Sequence, residues 1–327
     1  MKLKRINKIL ALSLTITILG GTVASTTFAN GNDIKSIEPS DPISIAMPRQ
    51  FQSELTIKEI SDIFHEYLSK NNINLKFGTP EYLEYLYEQM LYKSDEDLMN
   101  HPDYNIILSY FAEYIASYQK YELSDKTSDF TIDDIENKDK NLSEIRYENI
   151  KKDRIINSKS NVENRLSGYN ATNAKNYAIK WWNSYNSNYN KYSADCTNFV
   201  SQCLEAGGAK EKKPSSIPSG VYENKNYWYS DKPKVSTPWI RVTDFHSYWA
   251  PKVPDANYAG DTTVSRNGQV GDVVQFRDAG TLTRWHTMII TKKSGGVVYL
   301  TGHTTNRKDY PISSYDDNSI DWSLLDF

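Results

Sequence analysis

The run Asp195-Cys196-Thr197-Asn198-Phe199-Val200-Ser201-Gln202-Cys203-Leu204 sets Phe199, Val200, Cys203 and Leu204 at i, i+1, i+4 and i+5. That is one apolar stripe of a helix, stopped by Gly207-Gly208. Extending the stripe back by three and four residues reaches Cys196, so its thiol lies above the core face at the first turn. There the unpaired backbone N–H groups and the positive end of the helix dipole favour thiolate over thiol. The same N–H groups can stabilise an oxyanion. Asp195 suits the N-cap, and an aspartate beside a nucleophile suits a cationic group of a substrate as well. Cys196 and Cys203 are the only cysteines. A rise of seven residues separates them by about 10 Å, beyond the roughly 7 Å that a disulfide allows between Cα atoms. Cys203, two turns along the buried stripe, reads as packing, and Cys196 as a nucleophile.

The N-terminus makes a free thiol more telling. Lys2, Lys4, Arg5 and Lys8 precede an apolar stretch from Ile9 to Leu19, followed by small residues ending in Thr27-Phe28-Ala29. This layout is that of a signal peptide, with cleavage expected after Ala29; a retained N-terminal anchor is the alternative. The stretch is shorter than the roughly 20 residues of a spanning helix, and no later segment reads as a membrane span. A secreted or wall-associated protein is expected, and an unpaired thiol in that oxidising setting is a liability unless buried or used for chemistry. Removing the four leader cations from a net charge of −3 leaves about −7. No basic stripe survives for nucleic acid or anionic lipid. Tyr outnumbers Phe, 24 to 10, which suits helix–helix contacts and also wet surfaces facing sugars or peptides.

Between the leader and the thiol the pattern is helical. Leu55, Ile57, Ile60, Ile63, Phe64 and Leu68 share a face behind Thr56 as N-cap. Thr79-Pro80 opens a helix over Glu81–Tyr92, and Ile106, Ile107, Tyr110, Phe111, Tyr114 and Ile115 define one over Tyr104–Tyr121. These predict an α-helical module over residues 30–127. Residues 128–168, crowded with Asp, Glu, Lys and Asn, predict a polar linker or an exposed helix. Thr172 is expected to cap a helix carrying Ala174, Tyr177, Ala178, Trp181 and Trp182, and a loop over 183–192 leads to the thiol. The third domain then runs over 169–327.

Downstream, Gly271–Phe276, Trp285–Thr291 and Val297–His303 read as strands, the last two forming an antiparallel hairpin around Ser294-Gly295 or Gly295-Gly296. The first turn sets His286 across from His303; the second sets it across from Thr305, with His303 diagonal. Either register predicts that the two histidines meet. His286 is then the base that takes the thiol proton, and His303 the group that orients it, with Asn306 as the alternative orienter. His246, His65 and His101 read as structural. No C-x-x-C or H-E-x-x-H spacing occurs, so neither a metal nor a cofactor is expected.

These segments resemble the “Putative amidase domain” family, cell-wall cysteine amidases related to the NlpC/P60 and CHAP hydrolases. The resemblance rests on Tyr-Ala-x-x-Trp-Trp at Tyr177–Trp182, the motif from Asp195 to Gly208, Gly-Asp-Val-Val-Gln-Phe at Gly271–Phe276, Trp-His-Thr at Trp285–Thr287 and His-Thr-Thr-Asn-Arg at His303–Arg307. It covers about half of the chain, from Tyr169 onward. It implies an α+β, papain-like fold, with a cysteine-bearing helix on an antiparallel sheet that bears the histidine. By position it makes Cys196 the nucleophile and His286 the base of an enzyme cutting an amide in peptidoglycan, either a muramoyl-alanine amidase or a stem-peptide endopeptidase. A catalytically inactive wall-binding or regulatory domain and a secreted thiol protease are the competing readings. Tyr222, Tyr227, Trp228, Tyr229 and Trp239 lie in sequence broken by Pro218, Pro233 and Pro238, where they form a groove or pack onto the domain. Trp228, Trp285 and Asp195 are the candidates for substrate contact.

Overall fold

A computed structural model describes residues 47–122, 129–158, 164–315 and 318–327. The expected signal peptide, residues 30–46 and 123–127 of the helical module, and residues 128 and 159–163 of the polar segment lie outside the described residues. Helices α1 (Ile57–Lys70), α2 (Pro80–Tyr92) and α3 (Tyr104–Tyr121) form where apolar spacing predicts them. Thr56 caps α1 through a capping box with Glu59, satisfying two of the amides that a helix start leaves open. Thr79 caps α2 by accepting from the Tyr82 amide, with Pro80 in the first turn.

In the polar segment, helix α4 (Leu142–Ser158) buries Leu142 and Ile145. Its Asp153 is paired with Arg284 at 2.9 Å and Arg277 at 3.1 Å, and its Arg146 donates to the carbonyls of Ala279 and Gly280. Charged composition therefore marks a helix anchored by ion pairs and hydrogen bonds rather than by a broad apolar face. Helix α5 (Ala171–Trp181) is capped by Asn170, which accepts from the Asn173 amide. Thr172, the expected cap, lies inside the helix, because Asn170 is the residue with extended backbone before the first turn. Helices α6 (Cys196–Ala206) and α7 (Val242–Trp249) follow.

The larger sheet of an α+β architecture has six strands: β1 (Asp255–Tyr258), β2 (Val273–Asp278), β3 (Arg284–Ser294), β4 (Val297–Gly302), β5 (Arg307–Pro311) and β6 (Ile320–Leu325). They form one antiparallel sheet in the order β1-β6-β2-β3-β4-β5. Side chains alternate between its faces. Val274, Phe276, Met288, Ile290, Trp322 and Leu324 join the core built by α1, α2 and α3, while Val273, Ile289 and Leu325 join the core of α5, α6 and α7. The sheet is thus buried on both sides, with the cysteine helix on one face and the N-terminal helices on the other.

The β3–β4 turn is Gly295-Gly296, with φ of +60° and +78°, the backbone that a tight hairpin turn demands and glycine supplies most easily. A bulge between Ile290 and Lys292 then shifts the ladder by one, so that Ile289 pairs with Thr301. Neither predicted register contains that bulge. Continuing the ladder sets His303 across from Thr287, not from His286. A one-residue slip exchanges the faces of a strand, so His303 lies toward α6 while His286 points with its partner Phe276 toward the N-terminal helices.

Candidate active site

Cys196 opens α6 and is completely buried. Its sulfur is 3.7 Å from Thr197 Oγ1, and the backbone groups of Thr197 and Thr287 lie close enough to favour the thiolate. Thr197 Oγ1 meets Thr287 Oγ1 at 3.2 Å, tying the first turn of α6 to β3. Burial pushes the thiol up to about 11, outweighing the hydrogen bonds from Thr197 and Thr287 that favour the thiolate. Cys203 is also free and buried, deeper along α6.

His286 neighbours Thr287 on β3. A bulge in the β2–β3 pairing, where Phe276 pairs with His286 and Arg277 with Arg284, leaves Trp285 unpaired. Trp285 therefore stacks beside His286, with ring centroids 5.6 Å apart. Burial holds the imidazole down at about 3, and its Nδ1 is buried with no hydrogen-bond partner among the described residues. At neutral pH this ring is a neutral base. An unsatisfied buried nitrogen is costly in a merely structural histidine.

Tyr87 of α2 joins the two. Burial, with the Cys196 thiol nearby, raises its phenol well above the usual value, and its ring meets His286 edge-on with centroids 5.6 Å apart. Gln119 of α3 donates to the Tyr87 hydroxyl at 3.3 Å and to the Trp285 carbonyl at 3.2 Å. Tyr87 carried no motif, and its only sequence signal was a tyrosine on the α2 face that packs inward.

The structure does not bring His303 to His286. Its Nδ1 is 2.6 Å from Asp195 Oδ2, its Nε2 is 2.8 Å from the Trp181 carbonyl, and its ring stacks on Phe199 at 4.1 Å. Asp195 stands at the N-cap position, yet its side chain does not cap the helix. It accepts instead from the Tyr192 amide and the Asn198 side chain. The pair locks the loop before α6 to the end of β4. Asn306 lines an open cleft of about 690 Å³ together with Tyr87, Glu88, Tyr185, Ser193 and Arg307.

Neither tryptophan expected to touch substrate offers a face to that cleft. Trp228 is buried between Trp239 and Trp249, with its indole N–H on Ser201, because its proline-broken loop packs onto α6 rather than standing above the thiol. Trp285 is buried beneath Tyr87 and against Phe276. Asp195 is likewise buried, its carboxylate occupied by His303. His246 is an interior residue of α7 paired with Asp255 at 3.1 Å.

A helix-borne cysteine amid amide donors, at the strand end that bears a neutral imidazole, is an arrangement suited to acyl transfer. Residues 168–325 match the family described as “Putative amidase domain”. The amidase match begins just before α5 and ends within β6, so it holds Cys196, His286 and His303 but none of α1 to α4. Two proteins of Bacillus subtilis (strain 168) are each similar over nearly half of the chain. “Uncharacterized protein YhbB” is 28% identical over 155 residues, 47% of this chain and 47% of its own length. “Uncharacterized protein YjcM” is 31% identical over 160 residues, 45% of this chain and 33% of its own. The chain thus aligns with less than half the length of these curated relatives. No solved structure matches significantly.

Proposed function

We propose that this protein is a secreted cysteine amidase that cleaves an amide bond of peptidoglycan, with Cys196 as nucleophile and His286 as general base. One observation carries the reading: within the amidase-matched region, the only thiol at a helix N-terminus sits on a first turn tied through Thr197 to Thr287, the strand residue that follows a histidine whose buried Nδ1 has no hydrogen-bond partner among the described residues. A buried packing cysteine such as Cys203 has no such surroundings. The α+β arrangement, a cysteine helix on an antiparallel sheet, is what a papain-like hydrolase related to NlpC/P60 and CHAP enzymes requires.

In this mechanism His286 takes the Cys196 proton as the sulfur attacks the amide carbon. The amides at the start of α6 hold the oxyanion. When the tetrahedral adduct collapses, the C–N bond breaks and His286 returns the proton to the leaving amine. Water, deprotonated by the same imidazole, then cleaves the thioester and restores the thiol. His303 acts as a positioning residue: through Asp195 it holds the loop that delivers Cys196. The leader-like N-terminus supports export, and the net negative charge supports a substrate other than nucleic acid. Among the described residues no helix is long and apolar enough to cross a membrane.

The deciding experiment is digestion of purified cell walls by the wild type and by Cys196→Ala, with casein in parallel. Loss of wall cleavage in a variant that keeps its circular dichroism spectrum is the expected result. Undiminished cleavage by the variant refutes the thiol mechanism, and cleavage of casein alone points to a protease. Mass spectrometry of the fragments separates a new alanine amine from a new internal stem-peptide amine.

A further inference from the structure

The sulfur proposed to attack substrate has no exposed surface, and one of its neighbours, Tyr87, comes from outside the amidase-matched residues. Tyr87, on the inner face of α2, lies against both Cys196 and His286. Its hydroxyl also approaches the Trp285 carbonyl at 3.5 Å, and Gln119 of α3 braces it from behind. On the outer side of Tyr87 is the open cleft, whose walls are α2 on one side and the Tyr192-Ser193 and Thr304–Arg307 segments on the other. Tyr87 lines that cleft and Cys196 does not.

Helix α2 is fastened across this cleft at its far end. The Tyr92 hydroxyl is 3.0 Å from Thr305 Oγ1, and the Arg307 guanidinium lies 4.2 Å from the Tyr92 ring. At the end of α3, Glu122 accepts from the Ser193 and Ala194 amides at 2.5 and 3.2 Å, holding the backbone that runs into Cys196. These polar contacts ring the cleft outside the core, in which α2 itself buries Tyr82, Leu83 and Leu86 alongside the inner face of α3.

We infer that the Tyr87 side chain of α2 is a built-in lid that closes the cleft over Cys196, and that an acyl substrate reaches the sulfur only when Tyr87 swings away and the Tyr92–Thr305–Arg307 latch at the rim loosens. This rests on Cys196 being the nucleophile proposed above. A closed lid also accounts for the dry surroundings that hold thiol and imidazole both neutral. Opening readmits water and moves both groups toward their ordinary values.

Alkylation of the full-length protein by iodoacetamide, read by mass spectrometry at Cys196 and Cys203 separately, measures the lid independently of hydrolysis. Cys196 is expected to react slowly in the wild type and about tenfold faster in Tyr87→Ala, the factor expected when the closed state loses one or two net hydrogen bonds. Cys203 remains unreactive if the core is intact. If Tyr87→Ala unfolds, so that both cysteines react, Arg307→Ala provides the test, since it loosens the latch without a cavity beside the thiol. A wild-type Cys196 that already reacts as fast as in the folded variant overturns the lid. So does an Arg307→Ala protein with no acceleration where Tyr87→Ala cannot be used. Gated alkylation combined with wall cleavage that survives Cys196→Ala would leave the lid standing and refute the proposed function, so the two failures are distinguishable.

Discussion

His303 holds Asp195 Oδ2 at 2.6 Å with one ring nitrogen and the Trp181 carbonyl at 2.8 Å with the other. Both ring nitrogens are thus engaged in hydrogen-bonding contacts, and both His303 and Asp195 are buried. Removing one member strands the other in a low-dielectric interior. Asp195→Ala, which leaves buried polar partners unsatisfied, is therefore expected to destabilise the fold by about 1–3 kcal/mol. It should also loosen the start of α6. Urea unfolding measures the first effect, and faster hydrogen exchange at the Thr197 and Asn198 amides the second. A variant as stable as the parent would show that the pair is not structural.

His286 predicts acid sensitivity. Burial holds it down at about 3 in the folded chain, against about 6.5 when unfolded. Below pH 6.5 the unfolded chain takes up a proton that the folded chain refuses, so the folded state loses stability as pH falls from about 6.5 toward 3. The loss is up to about 1.4 kcal/mol per pH unit. His286→Asn removes that proton, so the stability difference between wild type and variant should shift against the wild type over this window. A difference independent of pH would mean that the imidazole is solvated.

The thiol predicts the opposite limb. Its titration is raised to about 11 by burial, so the folded chain keeps its proton while the unfolded chain loses one near 9. Stability from this group is full below about pH 9 and is lost as pH rises through 11. Thiolate absorbance near 240 nm, followed in Cys203→Ala so that one thiol reports, should rise near pH 11 in the folded protein and near 9 in denaturant. Equal midpoints in the two conditions would contradict a closed, dry site.

Asp153 of α4 neutralises both Arg277 on β2 and Arg284 on β3. Asp153→Ala leaves two buried guanidiniums without their shared carboxylate, with an expected cost of about 3–5 kcal/mol. Asp153→Asn keeps the shape and some hydrogen bonding and should cost less. Chemical denaturation of both variants checks the order, and an Ala variant no worse than Asn would show that α4 is held by other contacts.

Periodicity and caps, which are local, made α1 to α3 and α6 readable in the chain, down to Thr56, Thr79 and the two glycines after α6. The same local logic misplaced the α5 cap, because Asn170 and Thr172 are both competent and only the path of the preceding loop chooses between them. The hairpin was readable as well, but its register was not: a bulge at Thr291 depends on how β4 packs, and it carried His303 to the opposite face from His286. Trp228 shows the same limit, since a tryptophan between prolines reads alike whether it lines a groove or fills a core.

By itself the sequence determined that a thiol begins a helix, that a histidine stands on an antiparallel strand, and that helices precede both, because each depends on residues within a few turns of one another. Tertiary structure alone decided what Cys196 and His303 touch. Tyr87 reaches the thiol from 109 positions upstream, and Asp195 meets a histidine 108 positions away. Such contacts are set by how whole elements pack and where a strand admits an extra residue, and no local pattern encodes that.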